Sequence, residues 1–253
     1  MYFFHAVKQR LSALFLIIIL ILIWEIVADH LNMPYMFPSP SLILYKLFDI
    51  HEILFYVHLP ATLTVVGIGL ALSTILGVVL AICMHLFKIL ERAVYPLLVT
   101  SQTIPIIALA PIFVLWFGYS IWSKVVVTIL ITFFPITVNT FDGFRSVSSE
   151  QKEWFLTAGA NKWNLFTKLY VPSALPSFLS GLKIAIPLSV IGAAIGEWLG
   201  ANAGLGYFSR RMMTQFDGAG VFAPIVWLSL IGITGFLLVT IIEKYGFKWR
   251  RTR

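Results

Sequence analysis

Between Leu59 and Phe87 the chain contains no Asp, Glu, Lys or Arg. A helix of that length in water needs a polar face turned to solvent. A run this long and this apolar is at home in hydrocarbon, where about 20 residues of helix cross the bilayer core. Five further runs read the same way: Leu11–Ala28, Ala93–Phe117, Ile121–Phe141, Pro176–Leu199 and Val221–Ile242. Composition agrees. Charged residues make up 11% of the chain, against about 25% in soluble domains. The expectation is an all-α membrane bundle of six spans in one domain over 1–253, with its core at about 59–242.

Lys8 and Arg10 precede the first run, as in a secretory signal, but no small-x-small cleavage site follows it. It reads as a retained first helix. The net charge of +7 is topological, because the basic residues lie between and after the apolar runs. With the N-terminus in the cytoplasm, Lys8, Arg10, Lys88, Arg92, Arg145, Lys152, Lys162, Lys168, Lys183, Lys244, Lys248, Arg250, Arg251 and Arg253 fall inside. Lys46, Lys124, Arg210 and Arg211 fall outside. This bias places both termini in the cytoplasm, and a five-span arrangement breaks it. No basic groove with interleaved aromatics is present, so nucleic acid is not an expected partner.

Small residues recur every fourth position at Gly69, Ser73, Gly77 and Ala81, and again at Gly181, Ala185, Ser189 and Ala193. Such rows let helices approach closely where lipid offers little hydrophobic drive. Pro105, Pro111, Pro135, Pro187 and Pro224 interrupt apolar runs, and each removes a helical hydrogen bond. Bent helices lining a path and ordinary kinks that shape packing are equally compatible with them. Glu25 reads as an interfacial acid. Glu197 follows a small-residue row and precedes a Gly-rich turn, and a carboxylate at such a place is a candidate functional group. Pro105, Pro135, Ser189 and Glu197 are the candidate pathway residues.

No phosphate-binding G-x-x-x-x-G-K-[ST] loop occurs, and no acid pair, triad or Cys/His cluster at ligand spacing. No cofactor, metal site or catalytic residue is expected. Cys83 reads as a packing residue. The histidines at 5, 30, 51, 58 and 85 read as surface or interface polarity.

The segment 147–172 is polar and compatible with helix. It reads as a short helix, a break at Gly159 and a second amphipathic helix ended by Pro172. Glu150 and Glu153 sit near the first helix's N-terminus, where negative charge is favourable. Trp154, Phe155 and Trp163 put aromatic area on a loop, which calls for a partner or a lipid interface.

The spacing Glu153, Gly159, Val171-Pro172 resembles the cytoplasmic glutamate-Ala-Ala loop of ABC-importer permeases. Phe37-Pro38-Ser39-Pro40, Glu197-Trp198-Leu199-Gly200 and Gly204-Leu205-Gly206 resemble the branch serving nitrate, sulfonate, taurine and pyrimidine-type solutes. Trp154 and Phe155 replace the two alanines, and Leu169 and Val171 replace an Ile and a Leu. The resemblance implies a permease without ATPase activity of its own, in a bacterial plasma membrane. It implies a second permease copy as homodimer partner, two cytoplasmic ATPase subunits and an extracytoplasmic binding protein. It assigns ATPase docking to Glu150, Glu153, Trp154, Phe155, Ala158, Gly159, Ala160, Trp163 and Pro172. The segment 196–211 looks most like members assigned to thiamine-precursor pyrimidines or riboflavin, ahead of sulfonate, taurine or nitrate. An ion-coupled secondary transporter, a membrane enzyme and a scaffold are the competing readings.

Overall fold

The computed structural model describes the backbone of residues 2–246 and the side chains of residues 14–246. The side chains of His5, Lys8 and Arg10, and residues Lys248, Arg250, Arg251 and Arg253, lie outside the described residues.

The described chain is entirely helical, with ten helices. They are α1 (Tyr2–Leu31), α2 (Pro40–Asp49), α3 (His51–Leu86), α4 (Lys88–Ser101) and α5 (Ile106–Phe117). They continue as α6 (Ile121–Arg145), α7 (Ser149–Thr157), α8 (Lys162–Gly200), α9 (Leu205–Thr214) and α10 (Gly218–Gly246). Five of them are long and apolar enough to cross a membrane, or six crossings result if the bent pair α4–α5 is one span.

Helix α6 is the centre of the bundle, packed between α3 and α8. The two small-residue rows explain why. A Cβ on Gly69 would sit 2.5 Å from Thr128 Cγ2, and one on Gly77 would sit 2.9 Å from Thr137 Oγ1. Between them the Thr132 hydroxyl donates to Ser73 Oγ at 2.7 Å. On the other flank, a Cβ on Gly181 would lie 2.7 Å from the Pro135 carbonyl, and one on Gly192 would lie 2.9 Å from Thr128 Cα. Thr128 therefore has a glycine against it on both sides. The hydroxyls of Thr128, Thr137 and Thr140 bond to carbonyls four residues back, so polar groups enter a dry interface already satisfied.

These contacts also fix direction. Residues 69, 73 and 77 meet residues 128, 132 and 137, so α3 and α6 run parallel. Residues 181, 192 and 196 meet 135, 128 and 124, so α8 is antiparallel to α6. Two parallel helices joined by α4 and α5 require that joining segment to cross the full bundle. It does so in two pieces. Tyr95 and Leu98 of α4 pack with Phe141 near one end, and Phe113 of α5 packs with Val127 nearer the other. The bent pair thus bridges the two parallel helices, which fits its counting as one broken span, the sixth beside the five long helices.

Two span expectations are corrected in detail. The run 93–117, expected as one span interrupted at Pro105 and Pro111, is two helices that meet at 100° just before Pro105. Pro105 has no N–H and its own backbone is extended, at φ −70 and ψ 104, while Ser101 and Thr103 hydroxyls bond back to Leu98 and Thr100 carbonyls and close α4. Pro172, expected to end a helix, sits inside α8. A π-turn at Phe166–Tyr170, closed by the Val171 N–H to the Phe166 carbonyl, widens the helix just ahead of the proline ring. The same device, Leu54–His58 closed by Leu59 N–H on the Leu54 carbonyl, precedes Pro60 in α3. The fifth span accordingly begins at Lys162 rather than Pro176.

Replacing Gly192 with Leu pushes a side chain into the α6 backbone and should destabilise the fold by about 1–3 kcal/mol or more. Gly67 has nothing within 4 Å of its added Cβ, so Gly67→Leu should leave stability unchanged. Thermal unfolding of the detergent-solubilised variants decides this, and equal melting temperatures would contradict the central position of α6.

Candidate functional site

The bundle has two ends of different character. One end gathers the loop between α6 and α8. There Ser148 caps α7 by accepting from the Gln151 N–H at 3.2 Å, while Gln151 Oε1 accepts from the Ser148 N–H at 3.2 Å. This reciprocal box satisfies two orphan donors of the helix start. Glu150 lies in that first turn, exposed. At the other end of α7, Gly159 takes φ +79 and the Ala160 N–H reaches back to the Phe155 carbonyl at 3.0 Å. A left-handed residue at that place is what lets the chain reverse after the helix. Asn161 Oδ1 then accepts from the Asn164 N–H at 2.8 Å and starts α8.

The loop is built rigidly, yet its outer surface is bare. Trp154 is 80% exposed and Trp163 71% exposed. Glu153, Ala158 and Gly159 are exposed beside them, with Phe155, Ala160 and Pro172 half-buried. Underneath, Phe166 packs with Trp163, Phe144 and His85, and Tyr170 stacks edge-on against His85. His85 is therefore part of the joint between loop and bundle. Lys183 and Glu243 pair nearby and tie α8 to α10.

At the opposite end Glu197 is fully buried. Its Oε2 accepts from the Gly206 N–H at 2.8 Å, and its Oε1 has no hydrogen-bond partner among the described residues. Gly204, at φ +123, lies so close that any Cβ there would overlap the Glu197 carboxyl. His58 Nδ1 accepts from the Gly204 N–H at 3.1 Å, and Thr62 Oγ1 accepts from the Leu205 N–H at 2.8 Å. Three side chains from α3 and α8 thus clasp the three residues that start α9. Lys124 is buried close to Gly196 and sends its Nζ back to the Tyr119 and Ser120 carbonyls at 3.1 and 2.9 Å. Glu25 caps α2, accepting from the Ser41 N–H at 3.0 Å and the Ser41 hydroxyl at 2.5 Å.

Residues 73–245 match the family of binding-protein-dependent transport system inner membrane components. The chain belongs to that family. It is 61% identical over 243 residues to the formylaminopyrimidine transport permease protein ThiX of Halalkalibacterium halodurans, covering 96% of this chain and 97% of that one. It is 38% identical over 160 residues to the riboflavin transport system permease protein RibX of Chloroflexus aurantiacus, covering 63% and 60%. It is 27% identical over 231 residues to the taurine transport system permease protein TauC of Escherichia coli, covering 88% and 82%.

The protein is thus a non-catalytic, multi-pass inner-membrane permease of an ABC importer. Such a system includes an ATPase and a binding protein. Within this permease, Pro135, Ser189 and Glu197 are all interior to the bundle. Pro135 lies against Gly181, and the Ser189 hydroxyl donates to the Ile186 carbonyl at 2.6 Å. Pro105 stands apart, exposed where α5 begins. His58, read as interface polarity, is buried in the clasp instead. Thr62, Gly204 and Gly206 were not singled out as site residues. The signal for them was the pair of glycines following a carboxylate that ends a small-residue row.

Glu197→Ala leaves the Gly206 N–H buried without an acceptor, which costs about 1–3 kcal/mol. Glu197→Gln keeps an acceptor oxygen and should be milder. Limited proteolysis across 201–214 in the two variants checks this, and an E197A protein as resistant as wild type would remove the carboxylate from the clasp.

Proposed function

We propose that two copies of this chain form the membrane path of an importer for a formylaminopyrimidine-type solute. The observation that carries this reading is the 61% identity to a formylaminopyrimidine permease across nearly the whole of both chains. Riboflavin is the second candidate, on the lower identity over 160 residues.

In this reading the end bearing α7 faces the cytoplasm, together with both termini. The distribution of charge supports it. Lys88, Arg92, Arg145, Lys152, Lys162, Lys168, Lys183 and Lys244 belong to that end, and Lys46, Lys124, Arg210 and Arg211 to the other. Cationic side chains concentrated on one side mark the cytoplasmic face. The binding protein then delivers solute at the opposite end, over α2, the Gly204 clasp and α9.

Each loop of 147–172 docks one ATPase subunit. Trp154 and Trp163 are the anchors, because large aromatics exposed on a rigid turn bury the most area for the least lost freedom. Phe155, Ala158 and Ala160 shape the floor around them. Glu150 and Glu153 supply the charged rim. Gly159 sets the turn, and Pro172 with its π-turn joins the docked surface to α8. ATP-driven closure of the ATPase pair brings the two loops together and switches the path between its two openings. That switch requires the ATPase to bind the two states with different affinity.

The test is uptake into proteoliposomes holding the permease, its ATPase and its binding protein. Formylaminopyrimidine should accumulate when ATP is inside and fail to accumulate without it. Accumulation driven by an ion gradient alone would move the ion-coupled transporter to the front. Exchanging Trp154 and Trp163 for Ser should weaken ATPase co-purification at least 30-fold, from about 2 kcal/mol for an anchor of this kind. Both tryptophans are exposed, so a folded variant that retains its ATPase would refute the docking assignment.

A further inference from the structure

Two buried charges stand at the wrong ends of their helices. Lys124 is in the first turn of α6, where free N–H groups make a positive pole. Glu197 is in the last turn of α8, at a negative pole. Because α8 runs antiparallel to α6, the two are neighbours. A Cβ on Gly196 would lie 2.8 Å from Lys124 Cα, and Glu197 is the next residue. Lys124 is 7% exposed and Glu197 0%. Each lies within reach of the other's charge.

Yet the two are not paired. Lys124 Nζ donates to the Tyr119 and Ser120 carbonyls, and no ion pair joins it to a carboxylate among the described residues. Glu197 uses Oε2 on the Gly206 N–H, while Oε1 is buried without a hydrogen-bond partner among the described residues. A buried ionised oxygen without a partner is costly, and acids and bases at membrane depth pair with one another. The lysine stem is flexible enough to turn toward that oxygen. Its present acceptors can do without it, because Tyr119 and Ser120 are both exposed, where water can replace the ammonium.

The competitor for the carboxylate is α9. Its first turn offers the Gly206 N–H and a positive pole of its own. The other polar holds on that turn are two neutral ones, the Gly204 and Leu205 N–H groups on His58 and Thr62. Below, Leu205, Phe208 and Met212 pack on α3 and α10, while Arg211 and Met213 are exposed above. The segments on either side of α9, 201–204 and 215–217, are not helical. Lifting α9 by itself would strand Glu197, since its bonded donor leaves with the helix.

We propose that α9 is a lid at the outer mouth, and that Glu197 changes partner from the Gly206 N–H to the Lys124 ammonium when the lid lifts. One carboxylate with two alternative positive partners has two discrete arrangements, as a switching element needs. Closed, it holds the start of α9. Open, it joins α8 to α6 at their outer ends and leaves no bare charge behind.

This inference rests on the reading that puts α9 outside and lets ATP drive the switch, and the test separates them. Cys83 is the chain's single cysteine, so Cys83→Ala gives the background for Ser209→Cys. That probe is nearly isosteric and lies on the buried face of α9, 3% exposed. Proteoliposomes holding permease, ATPase and binding protein meet a membrane-impermeant cationic methanethiosulfonate, applied to each face in turn, with and without ATP and vanadate. The thiol at 209 should react from outside at least tenfold faster with ATP and vanadate. Lys124→Gln keeps an N–H for the two carbonyls, and Glu197→Gln keeps an acceptor for Gly206, but each removes one charge. Either should cut the rise to less than twofold, Lys124→Arg should restore it, and the double Gln variant should be no worse than the single ones. Melting temperatures show which variants are folded, and either neutral variant alone decides. A rise as large as wild type in a folded neutral variant overturns the partner change. No rise in a wild-type complex that hydrolyses ATP overturns the lid. Reaction only from the face bearing α7 refutes the sidedness instead, and the neutral variants still judge the switch on that face. Failure to import formylaminopyrimidine refutes the solute alone, because the labelling needs no uptake.

Discussion

Close backbone contact along α6 is the constraint on which the rest of this bundle depends. Lipid cannot drive two apolar helices together, so contact area must come from shape. Glycine and serine on α3 and glycine on α8 bring those helices against the threonines of α6 from both sides. Once the three are locked, with α3 parallel and α8 antiparallel to α6, the connections have little freedom. The link from α3 to α6 has to cross the membrane, and the link from α6 to α8 has to turn at one end. The first becomes the broken pair α4–α5 and the second becomes the loop with its exposed tryptophans.

Much of this was legible in the residues. Long uncharged runs name the spans because hydrocarbon admits no alternative. Two rows of small residues at a spacing of four name the faces that pack, and both rows are buried where expected. The glycine at 159 and the acids at 150 and 153 mark the loop before any fold is known, and the caps Ser148 and Asn161 emerge with the structure. Pro105 marked a kink, but not its size of 100°, because Thr100–Thr103 is too short a polar stretch to announce a full break in an apolar run of that length. The π-turns were missed for a related reason. A proline after a helical stretch usually reads as a stop, but in α3 and α8 one widened turn absorbs the ring and the helix continues.

The clasp at Glu197 was half legible. A carboxylate at the end of a small-residue row invites suspicion, and the glycines at 204 and 206 hint at close approach. Its other members come from far away in the chain. His58 and Gly204 are separated by 146 residues, and no local pattern links them. Only the packing of α3 beside α8 brings the His58 ring and the Thr62 hydroxyl to the start of α9. The same holds for Glu25, whose partner Ser41 lies on another helix. Pairings of this kind follow from the fold and cannot precede it.

Helix α8 connects the two ends directly. It runs from Lys162, within the loop, to Gly200, next to the clasp, without interruption over 39 residues. At 1.5 Å per residue that is about 58 Å, roughly twice the hydrocarbon thickness. Trp163 and Glu197 therefore stand on one continuous helix, with the π-turn at 166–170 between them. Along its length the rod touches α6 through glycines, and Asn139, Thr128, Ile131 and Lys124 of α6 sit in the notches those glycines leave. Interfaces of small residues hold two backbones in close contact, so the two ends of α8 are tied to one packed centre on α6.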